Sequence, residues 1–400
     1  KEDTHLKLHF KEVTIQRSEP IDENYFVMTT DFSVVHFDQG IETFLNKMEV
    51  VLPKAVKLDE VIRKSPLEGQ MSFRLEVSEF VRFNLKSLSG VVSFENFYFK
   101  TPFDEELVSI SKVEIEMSDY NLLLKLQGVL KGKQINGTFK KVFIKDVAST
   151  LVVTGEVDFK TFNPKILEKT VFSKEGMMVI GANFTFPPNQ NPVLRLTADL
   201  NGVSFSVPSL GLIKEKNENG NLSLDWGFEE FINFNFNSRD YEGNGIVFFD
   251  KEYKVEKVRL TKLKLNNYFL GAVFYKIGKI KNTLTIDGLT YDYSLAPRYN
   301  SFDSKNELEI NVNISQLKIR KDLVLDNFIA SFYSNEKLHG LGSGRLNSGP
   351  LVQIRIDFDD QKKILSVFSK NAGDVLLESN VYSSGYGGEI EFELVQRPKM

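Results

Sequence analysis

The chain has 400 residues, 42% apolar and 12% aromatic, with a formal net charge of −4. This composition excludes a disordered chain, and the absence of any basic block excludes a nucleic-acid footprint. With no cysteine there is no disulfide framework, thiolate nucleophile or thiolate metal site, and no apolar run is long enough for a spanning helix.

The length exceeds one ordinary core, so two or three packed units or an array of similar units is expected. The sequence begins at Lys1 without a signal h-region and reads as an excised or mature segment, with targeting information upstream.

Taken in chain order, the dominant pattern is period-two alternation. His5 and His9 sit among Leu6, Leu8 and Phe10, which alternate as in a strand; with no acidic partner fixed by spacing, an exposed polar face outweighs a metal site. His36 has no such context. Ile41–Val51 carries Ile41, Phe44, Leu45 and Met48 at helical spacing. Met71, Phe73, Leu75 and Val77 then alternate with Ser72, Arg74 and Glu76, as Val113, Ile115 and Met117 do with Glu114 and Glu116.

Asn163-Pro164 is an N-cap and first-turn signal for a helix over Lys165–Phe172. Pro187–Pro192 is the best candidate boundary, and a long hairpin loop accounts for it equally well. Asn136-Gly137, Asn201-Gly202, Asn219-Gly220, Gly243-Asn244-Gly245 and Asp287-Gly288 read as tight turns. Short strands joined by short turns give an antiparallel meander, with parallel units not expected. A loose repeat begins near Asp199, Asp287 and Asn313.

Ile232, Phe234 and Phe236 face away from Asn233, Asn235 and Asn237, and Leu308, Ile310, Val312 and Ile314 face away from Glu309, Asn311 and Asn313. His339-Gly340-Leu341-Gly342-Ser343-Gly344 resembles a phosphate loop but lacks the helix such a loop needs, so it reads as a glycine-rich hairpin. Val352, Ile354, Ile356 and Phe358 alternate with Gln353, Arg355 and Asp357. A helix is expected within Asn371–Val381, and Ile390, Phe392 and Leu394 close the pattern against Glu389, Glu391 and Glu393.

No nucleophile elbow and no distinguished carboxylate pair occurs, so nothing supports an enzyme or a cofactor. The apolar strand faces have three explanations: two sheets packed face to face, a transmembrane barrel, or one sheet curled into a trough. The helical windows and Lys/Glu-rich wet faces argue against the barrel. Periodicity does not choose between sandwich and trough.

One ordered set of motifs goes further. It runs from the Asn163-Pro164 helix through Val193–Pro208, with Leu210-Gly211 and Lys214, to Leu317–Leu346 with Gly349-Pro350-Leu351. It ends at Ser369–Leu376 and Tyr386–Ile390. This order resembles the YhdP-type, AsmA-like proteins of Gram-negative bacteria over roughly residues 140 to 395. The resemblance divides the chain into 1–140 and 141–400, both β-groove segments and together one continuous domain or two.

It implies an all-β fold with a few short helices: an elongated, curled antiparallel sheet of repeated units forming a hydrophobic groove. It also implies a periplasmic protein anchored in the inner membrane by a helix outside this segment, reaching a membrane at each end. Its function would be non-enzymatic phospholipid transfer that supports the outer-membrane permeability barrier, with envelope proteins as further partners. The expected acyl-chain lining is Phe205, Val207, Leu222, Leu224, Phe234, Phe236, Leu308, Ile310, Val312, Ile314, Ile354, Ile356 and Phe358. The rivals are a scaffold that takes outer-membrane protein strands by β-augmentation and a plain structural sandwich.

Overall fold

The computed structural model describes residues 8–17, 25–34, 62–63, 67–77, 83–101, 104–118, 120–130, 132–160, 172–207, 212–251, 254–278, 280–296, 307–335, 337–359 and 362–396. The helices expected at Ile41–Val51 and over Lys165–Val171, and the histidines His5 and His36, lie outside these residues. Phe172, expected at the end of the second helix, instead begins a strand.

The chain divides into two compact units. The first holds residues 1–169, 173–204 and 223–228; the second holds 170–172, 205–222 and 229–400. The expected segment boundary at residue 140 falls within a strand, Lys133–Val142.

In the first part of the chain the strands are β1 (Leu8–Arg17), β2 (Tyr25–Val34), β3 (Ile62–Arg63), β4 (Leu67–Val77), β5 (Phe83–Thr101), β6 (Asp104–Ser118), β7 (Asn121–Leu130), β8 (Lys133–Val142), β9 (Ser149–Asp158), β10 (Phe172–Glu175), β11 (Met177–Phe186) and β12 (Val193–Asp199). Antiparallel pairing runs β1–β2–β4–β5–β6–β7–β8–β9–β11–β12. Pro187–Pro192 is the loop of the β11–β12 hairpin.

There follow β13 (Ser204–Val207), β14 (Leu212–Lys214) and β15 (Gly220–Trp226). The second unit's main ladder is β16 (Phe231–Ser238), β17 (Tyr241–Phe249), β18 (Val255–Leu265), β19 (Phe269–Lys276), β20 (Lys281–Asp292), β21 (Glu307–Arg320), β22 (Leu323–Asn335), β23 (Lys337–Leu346), β24 (Leu351–Asp359), β25 (Lys362–Ser369) and β26 (Ile390–Gln396). Each pairs with the next, and no described pairing joins β26 back to β16, so the curled sheet is not closed into a barrel.

One pairing departs from the expected meander: β20 and β21 are parallel. A tight turn cannot join parallel neighbours, so the connection after Asp292 must return the chain to the other end of the sheet before Glu307. The start of that connection packs inward through Ala296.

The expected C-terminal helix is α1 (Ala372–Glu378), capped by Asn371, whose Oδ1 accepts from the Asp374 amide at 3.2 Å. Among the described residues the only other sheet is three-stranded, formed by β10, β13 and β14, so no second sheet of matching size packs on the main ladder.

The turn expectations divide. Asn201-Gly202 is a turn, with Gly202 at φ 79°, and the residues just before Gly220 also turn. Asn136-Gly137, Gly243-Asn244-Gly245, Asp287-Gly288 and the glycines after His339 instead lie inside strands. Asp287 and Asn313, read as starts of repeats, are ladder partners in mid-strand. The reason is steric: at Gly245 a Cβ would stand 2.4 Å from the Arg259 carbonyl oxygen, and at Gly288 3.3 Å from the Phe269 ring. Gly288 makes room for the Ile314 and Phe269 side chains on its face, and Gly245 for the backbone of the neighbouring strand.

Candidate functional site

The ladder register of the second unit brings one residue from each strand into a single row. Phe234 of β16 pairs with Gly245, which pairs with Leu260, then Val273, Ile286, Val312, Ala330, Gly342, Ile354, Val367 and Phe392 of β26. Every member is apolar or glycine. The adjacent row on the other face runs Asn233, Ile246, Arg259, Phe274, Thr285, Asn311, Ser331, Leu341, Arg355, Ser366 and Glu393, and is mainly polar. Directly opposed strand residues point to the same face, so the two rows define an apolar and a wet surface.

The first unit repeats this arrangement. Ile115, Leu124, Phe139, Leu151, Phe184 and Leu194 form one row, and Glu116, Leu123, Lys140, Thr150, Thr185 and Val193 the alternate one. Leu122, Phe139 and Phe186 are its buried cluster, with the Phe184 and Phe186 rings stacked at 6.3 Å.

Burial along the second unit's apolar face is uneven. At one end Leu212, Tyr241, Leu263, Leu265, Tyr268 and Phe269 form a buried cluster, with Phe205 of β13 packed against it. The Phe205 and Phe236 rings meet edge to face at 6.2 Å. Lys214 holds this cover in place: it is 1% exposed, and its Nζ donates to the Glu218 carbonyl at 2.8 Å and the Glu215 carbonyl at 3.2 Å. The Ile213 amide donates to Tyr241 Oη at 3.2 Å.

At the same end of β22–β24, Leu325, Phe328, Leu346 and Val352 are buried, and Val375 of α1 packs on them. Further along, Ile310, Val312, Phe332, Ile354, Ile356, Phe358, Leu365 and Val367 are only half-buried. On β26 Phe392 and Leu394 are 57% and 53% exposed.

The sequence-expected lining therefore separates. Phe234, Phe236, Leu308, Ile310, Val312, Ile314, Ile354, Ile356 and Phe358 share one face of one ladder. Of these Leu308 and Ile314 are buried, at 3% and 4%, and the rest are half-buried. Phe205 belongs to the cover over the closed end rather than to the ladder. Leu222 and Leu224 lie half-buried on β15. Val207 ends β13, and its side chain lies outside the description.

The sequence reading missed Val273, Ile286, Leu365 and Val367 in this face. Their strands alternate too, as Leu284 and Ile286 do with Thr283 and Thr285, and that signal could have found them.

The wet face carries ion pairs: Lys125–Glu116 at 2.8 Å, Lys262–Glu242 at 2.7 Å, Lys281–Glu309 at 2.6 Å and Arg355–Asp357 at 2.5 Å. The hydrogen bond from Lys281 holds the Glu309 carboxyl below its usual range, and those from Arg355 and His339 do the same for Asp357. His339 is thus a partner of Asp357, at 3.3 Å. On the same face Asn311, Asn313, Ser331, Ser343 and Gln353 line an open cavity of about 510 Å³.

On the apolar face the phenols of Tyr275 and Tyr291 are raised by burial, with the neighbouring Tyr293 adding to the shift of Tyr291. Among the described residues no three metal-ligating side chains cluster, and no helix is long and apolar enough to cross a membrane.

Such a surface offers apolar contact. Burying about ten CH₂ groups yields about 8 kcal/mol, the scale of a micromolar complex. The chain was compared with protein-family models, curated proteins and solved structures, and matches none of them.

Proposed function

We propose that this chain binds phospholipid acyl chains on the apolar face of its curled sheet and serves as a segment of a non-enzymatic lipid conduit between two membranes. The observation that carries the reading is the unbroken apolar row from Phe234 to Phe392, half-buried along much of its length. A face meant only to be a core would be covered throughout, as Leu346 and Val352 are beneath α1. The periplasmic location, the membrane anchor and kinship with the YhdP-type, AsmA-like proteins belong to the same proposal and rest on the motif order in the sequence.

The strand-addition scaffold is less well supported. The last strand, β26, presents exposed Glu391 and Glu393, and charged edges discourage pairing with foreign strands. The plain sandwich lacks a partner sheet among the described residues.

The test is native mass spectrometry with lipid extraction on chain purified mildly from a bacterial envelope. Bound phospholipid that falls sharply in Phe234→Asp or Ile310→Asp supports the conduit. A lipid-free, folded chain that also fails to take up added phospholipid contradicts it.

A further inference from the structure

The half-buried stretch of β23–β25 ends at a pair of lysines. Along β25 the apolar face reads Lys363, Leu365, Val367, so a charge ends an otherwise apolar row. Lys363 is the ladder partner of Phe358. From β23, Lys337 places its Nζ 5.6 Å from the Phe358 ring centre. Neither lysine makes an ion pair among the described residues, whereas the wet-face Arg355 and Lys281 are paired. One ammonium group thus reaches the Phe358 ring from Lys337, a wet-face position that pairs with Asn335, beside the His339 ring that meets Phe358 edge to face at 5.5 Å. Lys363 neighbours Phe358 on the apolar face as its ladder partner, and the opposite end of the strip is closed by α1.

We infer that Lys337 and Lys363 form a head-group station that selects anionic phospholipid, with the acyl chain running from Phe358 over Ile356 and Ile354. This deepens the lipid-binding reading and rests on it. The chemistry is charge complementarity at the edge of a low-dielectric surface. A phosphodiester with a neutral glycerol head accepts hydrogen bonds from both ammonium groups, while the choline of a zwitterionic head is repelled by them. Phe358 fixes one lysine by a cation–π contact and offers its hydrophobic edge to the first methylenes of the chain.

The experiment uses the full chain, stripped of lipid and mixed with vesicles of equimolar phosphatidylglycerol and phosphatidylcholine with identical acyl chains. Bound lipid is then extracted and counted. The unmodified chain is expected to retain phosphatidylglycerol about tenfold over phosphatidylcholine, the ratio one charge-assisted contact supplies. In K337Q/K363Q the ratio is expected to fall to near one, through loss of bound phosphatidylglycerol.

Equal retention by the unmodified chain overturns the head-group station and leaves lipid binding standing, the lysines then serving only to keep the strand ends wet. Retention of neither lipid overturns both readings. A preference that survives in K337Q/K363Q overturns the assignment to these lysines. Should the double variant lose its far-UV β signal, K337Q alone and the salt dependence of the unmodified chain decide: the preference should shrink between low and high salt, and a salt-independent ratio overturns the inference.

Discussion

A Cβ on Gly342 would stand 2.9 Å from Cζ of Phe328. The ring of β22 occupies the space that a side chain on β23 would need, and Ala330 Cβ closes the same spot at 2.9 Å. Gly342→Val is therefore expected to destabilise the second unit by roughly 1–3 kcal/mol through overpacking, read as a lower urea midpoint. Arg345→Ala, on the wet face of the same strand, should stay within about 0.5 kcal/mol.

Lys214 is buried with its ammonium on two backbone carbonyls of the turn that follows β14. Lys214→Met keeps the stem and removes the donor, taking the ammonium from the Glu218 carbonyl and leaving the Glu215 carbonyl with the Glu218 amide alone. A loss of about 1–3 kcal/mol is expected. Hydrogen exchange around Leu212–Lys214 should quicken first, because this cover is what the lysine holds.

Burial raises the phenols of Tyr275 and Tyr291, so the folded chain favours the neutral form. The stability linked to these groups is fully present below the unfolded value of about 10 and is lost as pH rises from there through the folded values. Absorbance at alkaline pH should show these two tyrosines ionising above the ordinary phenol value of about 10. Lipid lying on the face should delay Tyr275 further. An unchanged Tyr275 titration with lipid bound would place the lipid elsewhere.

Much of this arrangement is written in the sequence. Alternation placed Phe234, Ile310, Val312, Ile354 and Ile356 on a shared surface before any register was known, because a strand has only two faces. The helix expected within Asn371–Val381 is α1, and the structure adds its cap at Asn371. Mid-strand glycines were misread as turns, since Asn-Gly and Asp-Gly look alike whether they turn the chain or clear space for a ring such as Phe269. The parallel β20–β21 pair was unreadable: its cause is a long crossover whose residues resemble any loop. Nor could local pattern show that Phe205 covers the closed end while Phe234 lines the ladder, as both alternate in the same way.

The most direct test of the apolar face as a lipid floor uses its two-residue period. A photoreactive benzoylphenylalanine is placed singly at Phe332, Ile354 and Ile356 on one face and at Ser331, Gln353 and Arg355 on the other, and the chain is irradiated with an alkyne-tagged phospholipid. The account predicts strong adducts at the first three positions and little at their immediate neighbours. Adducts of equal strength at all six, or none where the folded chain is confirmed, would contradict it.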